Sequence, residues 1–219
     1  MQEHFIHKIP DDTHLDALFA HAIWETATSA SIDRFPWYET GEKQTAHAKF
    51  LFNAYALFME FVCKDKHISS RVIDLNARVD EDSSVGTFLC PQPDRSEEYF
   101  DIMINACGIL RMGFGKDRFF RQLIDFDLAK DVKIHHSVPG ILKDESPDDR
   151  EWRIVAAVPF RVLSSLAQFE IRPVVGTRWT GNFCRCGGKT NRQYASWVPI
   201  DLPLPDFHCP TFFGDLIFT

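Results

Sequence analysis

No stretch of the 219 residues approaches the roughly 18 to 20 consecutive apolar residues that a membrane span requires, so the chain is expected to be soluble. The opening residues MQEHFIHKIPDD lack both the positively charged start and the apolar core of a secretory leader. The sequence as written is therefore expected in the cytoplasm, and secreted or periplasmic only if a leader has been removed. A surplus of basic residues is missing too. With 24 Lys and Arg against 31 Asp and Glu the formal net charge is -7, whereas nucleic-acid binders carry clustered Lys and Arg. Neither nucleic acid nor a membrane is expected as a partner, and a neutral or uncharged ligand fits the balance better. Cysteines are few: Cys63, Cys90, Cys107, Cys184, Cys186 and Cys209 lie scattered through strand-like segments rather than in a short, loop-rich framework. They are read as free thiols in a reducing compartment. No internal repeat and no βαβ rhythm is visible, which removes solenoids and doubly wound sheets.

What is present is β-forming. Apolar residues make up 45% and charged residues 25%, with 20 Phe, and such aromatics suit a pleated, half-buried surface. In YALFMEFVC, Tyr55, Leu57, Met59, Phe61 and Cys63 share one face while Phe58, Glu60 and Val62 share the other. AHAKFLF pairs with it across a tight turn at Asn53 and Ala54. Further strands are expected at 84–90, 99–107, 109–114, 132–138 and 151–159, with a turn at Gly108, and then at RWTGNFCRC, YASWVP and GDLIF, the last closing a sheet. Leu15, Leu18, Phe19 and Ala22 predict a short amphipathic helix over 11–24. Val162, Leu163, Leu166 and Phe169 predict a second over 159–169. The fold class is all-β: an antiparallel jelly-roll β-sandwich with one or two short helices, forming one domain over residues 1–219.

Several segments, in order, resemble the family 9 carbohydrate-binding modules. SIDRFPW (31–37) after Trp24 resembles their opening strand, and YALFMEFVCKD a strand that ends in an Asp-containing turn. EDSSVGTFLCP resembles the Asp-Ser-x-Val-Glu strand, and YFDIMINACG the strand with Tyr followed by Asn-x-x-Gly. WTGNFCRC, YASWVPI and FHCPTFFGDLIF resemble the closing block. The resemblance implies a DOMON-like β-sandwich that binds mono-, di- or oligosaccharides without catalysis, as an accessory to the breakdown of plant polysaccharides such as xylan. It requires no cofactor and leaves a structural calcium open. Members carry Glu where this chain has Gly86, and binding members can carry a Trp within the segment that here reads DLNARVDED.

A sugar ring has apolar C–H faces and a polar rim, so its site calls for flat aromatic plates edged by planar donors and acceptors. Trp197, beside Pro199 and the loop DLPLPDFH, and Trp179, between Arg178 and Asn182, are the candidate plates. Either can instead be core filler, as Trp24, Trp37 and Trp152 are read. Arg111 and Asn105 flank the Gly108 turn, where the resemblance places polar sugar contacts, although Asn105 can equally serve the turn itself. Three other readings remain. Zinc at Cys184, Cys186, His208 and Cys209 is opposed by the tight Cys-x-Cys spacing. Catalysis is opposed by the lack of a carboxylate pair or an activated nucleophile. A module of the same fold with a decayed sugar site, serving structure or protein interaction, is favoured by the missing Glu at position 86. The sequence sets no oligomeric state.

Overall fold

The computed structural model describes residues 2–13, 18–19, 21–142 and 144–219. Among them the alternating segments form strands: β1 (Glu3–Lys8), β2 (Ser29–Ile32), β3 (Ala46–Phe52), β4 (Ala56–Lys64), β5 (Ser84–Cys90), β6 (Tyr99–Asn105), β7 (Leu110–Gly115), β8 (Gln122–Leu123), β9 (Lys133–His136), β10 (Glu151–Pro159), β11 (Arg178–Cys186), β12 (Tyr194–Ser196) and β13 (Gly214–Phe218). Two short helices join them, α1 (Phe126–Ala129) and α2 (Phe160–Ala167).

One layer runs β8-β7-β6-β5-β11-β13, with β12 sharing an edge of β11. The other runs β3-β4-β10-β9, with β2 on β3. β1 belongs to both: Glu3–Ile6 pair with β13 and His7–Lys8 with β3, each time in parallel. Every other ladder is antiparallel, and the layers make one curled sandwich, the all-β architecture expected. One element differs from the expectation. β13 does not close a sheet but lies between β11 and β1. The helix expected over 11–24 falls largely outside the described residues: Leu18 and Phe19 are helical, and a 3-10 helix follows at His21–Thr26, anchored where buried Trp24 donates to the Leu18 carbonyl at 2.6 Å. Leu15 lies outside the described residues.

The core follows the two-residue period. Leu57, Met59, Phe61 and Cys63 of β4 face inward with Phe50 of β3 and Trp152 of β10, against Phe183 of β11. Phe50 and Phe183 stack across the layers with centroids 4.4 Å apart. The opposite face of β4 is buried as well, because Leu18 and Trp24 cover Phe58 and Val155. Tyr55 precedes the strand and is exposed. The β3–β4 turn closes as an Asx turn, Asn53 Oδ1 accepting from the amides of Tyr55 and Ala56 at 2.9 and 3.0 Å. Between β6 and β7, Gly108 has φ +85, a left-handed conformation suited to glycine. In α2, Phe160, Val162, Leu163 and Leu166 form the buried stripe.

Candidate binding site

Residues opposite one another across a ladder share a face. The register places Cys184, Gly86, Met103 and Arg111 in one row across β11, β5, β6 and β7. The row lies on the outer face of the first layer, since the alternate residues Phe183, Val85, Ile102, Ile104, Leu110 and Met112 point into the core. Beside it run Asn182, Phe88, Asp101 and Gly113. The proline-rich stretch 199–210 crosses this face and seats His208 edge-on against Phe88, centroids 5.0 Å apart.

Between that stretch, the strand face and the loop after β7 lies a groove of about 460 Å³, within the usual size for small-molecule sites. Phe88, Met103 and Cys186 form an apolar floor, and Phe119, Tyr194 and Phe207 contribute rings to the walls. Arg78, Arg111, Arg118 and Arg192 bring four guanidiniums, against the single lining carboxylate of Asp80. A second depression of about 510 Å³ adjoins it, sharing Arg192, Tyr194 and Pro205 and adding Trp37 and Tyr38.

Electrostatics below the floor hold Arg111 in place. Asp101, fully buried, receives Arg111 Nη1 at 2.5 Å and Arg121 Nε at 2.9 Å. Burial pushes the Asp101 carboxyl above the ordinary range and the two guanidiniums pull it back. Arg121 spends its other donors on the carbonyls of Tyr99, Gly113, Gly115 and Asp117. Among the described residues Arg111 hydrogen-bonds Asp101 alone, and its side chain, 23% exposed, lines the groove. His208 is held neutral, its pKa lowered to about 3 by burial and then by Arg121, Arg118 and Arg111, while its Nδ1 meets the Tyr99 hydroxyl at 3.1 Å.

Gly86 has a definite neighbour. A Cβ built there would overlap Met103 Sδ and come within 3.0 Å of Cys184 Sγ. The thioether thus fills the space that a side chain at position 86 would occupy.

Of the six residues expected to hold a ligand, only Arg111 lines the groove. Trp197 is 3% exposed, stacked on Phe183 at 4.8 Å and edge-on to His4, so neither face is open to a sugar. Trp179 is 2% exposed and packs edge-on against Phe218. Trp179 is core because β11 points it inward beside Phe183, and Trp197, just after β12, is held there by the hydrogen bond from its amide to the Phe183 carbonyl. Asn182 is turned to the backbone: Oδ1 accepts from the Val198 amide at 2.9 Å and Nδ2 donates to the Val198 carbonyl at 3.1 Å. Asn105 is fully buried, its amide bonded to Asp82 and Val72 and its Oδ1 accepting from the Ile109 amide, which fixes the Gly108 turn. Arg178, at the other end of β11, pairs with Asp215. The groove's aromatic walls have no sequence signature, because single rings on three separate segments carry no spacing. The loop DLPLPDFH, which follows Trp197, brings the Phe207 ring to the groove.

No group of three or more His, Cys, Asp or Glu able to hold a metal occurs among the described residues. Burial raises the Cys184 and Cys186 thiols well above their ordinary range, so both are neutral thiols.

The curated proteins contain no match to the sequence. Solved structures do match. A Bacteroides uniformis protein, assigned to carbohydrate binding by inference, superposes with TM-score 0.88 at 23% identity, covering 100% of this chain and 99% of its own. A family 9 carbohydrate-binding module from Caldicellulosiruptor kristjanssonii superposes with TM-score 0.61 at 15% identity, whether in complex with cellotriose (99% and 93% covered) or with glucose (100% and 96%). At these identities the likeness shows the fold alone. The family model for carbohydrate-binding family 9 matches residues 16–218, nearly the whole chain, and the chain therefore belongs to that family of non-catalytic binding modules.

Proposed function

We propose that this chain binds a saccharide, without cleaving it, in the groove over Met103 and Arg111. The observation that carries the reading is the composition of that groove: an apolar floor, the rings of Phe119, Tyr194 and Phe207, and guanidiniums at the edge. These are the parts a sugar's C–H face and hydroxyl rim call for. The position also agrees with the resemblance, since Met103 covers residue 86 and the wall includes Arg78 and Asp80, within the segment where binding members can carry a Trp. The adjoining depression beyond Tyr194 gives room for more than one sugar unit. Family membership supports an accessory role beside polysaccharide breakdown, with xylan as one source of ligand.

A second reading, the same fold with a lost sugar site, is favoured by Met103 filling the place of the family's Glu. A glycan screen followed by calorimetry on Tyr194→Ala and Phe207→Ala separates the two. Saccharide binding that weakens at least about tenfold in either variant, with the melting temperature kept, supports the first reading. Absence of binding across neutral and acidic glycans supports the second.

A further inference from the structure

Resting on the saccharide-binding reading, the geometry points to a sugar that carries an acidic substituent, a carboxylate or a sulfate ester, as the ligand class of this groove. The chain as a whole is acidic, at -7, which taken alone favours an uncharged ligand. Its charge is not evenly spread. Arg78, Arg111, Arg118 and Arg192 converge on one groove that Asp80 alone faces as an acid.

Of the carboxylates that pair with these arginines, Asp80 is the one in the groove lining. Asp101 lies under the floor, 0% exposed, and is shared between Arg111 and Arg121, so one negative charge answers two positive ones. Asp206 holds Arg118 at 2.9 Å from the crossing stretch, and Arg78 turns to Asp80 and Glu81 on its own segment. Arg192 makes no ion pair among the described residues: its Nε donates to the Tyr194 hydroxyl at 2.7 Å, beside a ring that faces the groove. The depressed pKa of His208, to which three arginines contribute after burial, reports the same positive field at the groove wall.

A neutral sugar does not need this many guanidiniums. A hydroxyl pair is bridged by one planar fork, and each further guanidinium covered by a neutral ligand loses water without gaining a counter-charge. A carboxylate or sulfate offsets that cost, since two parallel N–H donors of Arg match two oxygens of the anion. Arg118 and Arg192, brought to the groove by separate segments and both exposed, are the residues expected to take the acidic group, with Arg111 at the floor orienting a hydroxyl.

The experiment is calorimetry on the full chain with matched pairs of oligosaccharides: neutral gluco- and galacto-oligosaccharides, their uronate counterparts, sulfated oligosaccharides, and inorganic sulfate alone. The acidic member of a pair is expected to bind at least about tenfold more tightly, with the gap narrowing as NaCl rises from about 50 to about 500 mM. The uronate and sulfated arms identify which anion is preferred. In Arg118→Gln/Arg192→Gln the preference should collapse toward unity, with circular dichroism confirming the fold. Neutral sugars binding as tightly as acidic ones would overturn the inference and leave the saccharide reading standing. No binding to any saccharide would remove both. Inorganic sulfate binding as tightly as the acidic sugars would make this a simple anion site and overturn the inference from the other side.

Discussion

His4 makes the protein's stability depend on acid, and the size of the effect follows from its surroundings. The imidazole is 1% exposed, edge-on to Phe50, Phe183 and Trp197, and its Nε2 has no hydrogen-bond partner among the described residues. Burial first, and the neighbouring His7 second, lower its pKa to about 4. The unfolded chain takes up this proton at about 6.5, so the folded state refuses a proton that the unfolded state accepts. Stability is therefore whole above about pH 7 and drains as the pH falls toward 4. The gap of about 2.5 pKa units sets a ceiling of about 3.4 kcal/mol, of which about 2 kcal/mol is already lost at pH 5. Urea denaturation of the wild type and of His4→Leu at pH 7.5 and pH 5.0 measures the term. The wild type should lose about 2 kcal/mol more than the variant over that interval, while the contribution of His208 cancels in the difference. Equal losses in both proteins would refute the picture of a neutral imidazole sealed among the aromatic rings.

Three further outcomes are expected. Trp197→Ala should cost about 3–5 kcal/mol and lower the melting temperature by on the order of 10 °C, because the indole fills the space between Phe183 and His4; thermal unfolding checks it, and a stable variant would place the ring outside the core. Asp101→Asn should cost about 3 kcal/mol in chemical denaturation, since Arg121, 2% exposed at its side chain, would keep its charge without a counter-ion. Gly86→Glu should destabilise by about 1–3 kcal/mol through overlap with Met103, and adding Met103→Ala should cost less than the sum of the two changes; a double-mutant cycle that is additive to within about 0.5 kcal/mol would deny the contact.

The fold was legible wherever the two-residue period is clean. β4 and β10 carry apolar or aromatic residues on their inner positions, β5 and β11 do so except at Thr87, Gly181 and Arg185, and the bounds of all four fall within a residue of the expectation. β1 was missed because its inward positions in EHFIHK are His4 and Ile6, and a histidine in such a place reads as polar. Its partners give no local hint either, since β13 and β3 lie far along the chain. The outer face of β4 looks mixed in sequence yet is buried, with Glu60 neutralised by Arg153 at 2.8 Å beneath the N-terminal segment. The groove was legible only through Arg111. Tryptophan attracted attention as the largest flat ring, but an indole is equally the largest core filler, and position within the pleat decides between the two. The residues that do line the groove come from segments near 78–88, 103–119, 186–194 and 205–208, and only the folded chain brings them together.

The placement of β1 and β13 sets the order in which the molecule can be completed. Thr219 Oγ1 lies 2.8 Å from His7 Nδ1 across 212 positions of sequence, and β13 is paired on both sides. Until that final strand is available, β1 cannot bridge the layers, and the edge of β11 along Arg178–Gly181 has no partner. Contacts of such long separation make folding slow rather than unstable, because the chain must be closed before the pairing is gained. A chain that has formed β11 but not yet β13 therefore carries an open sheet edge, the state most exposed to edge-to-edge aggregation.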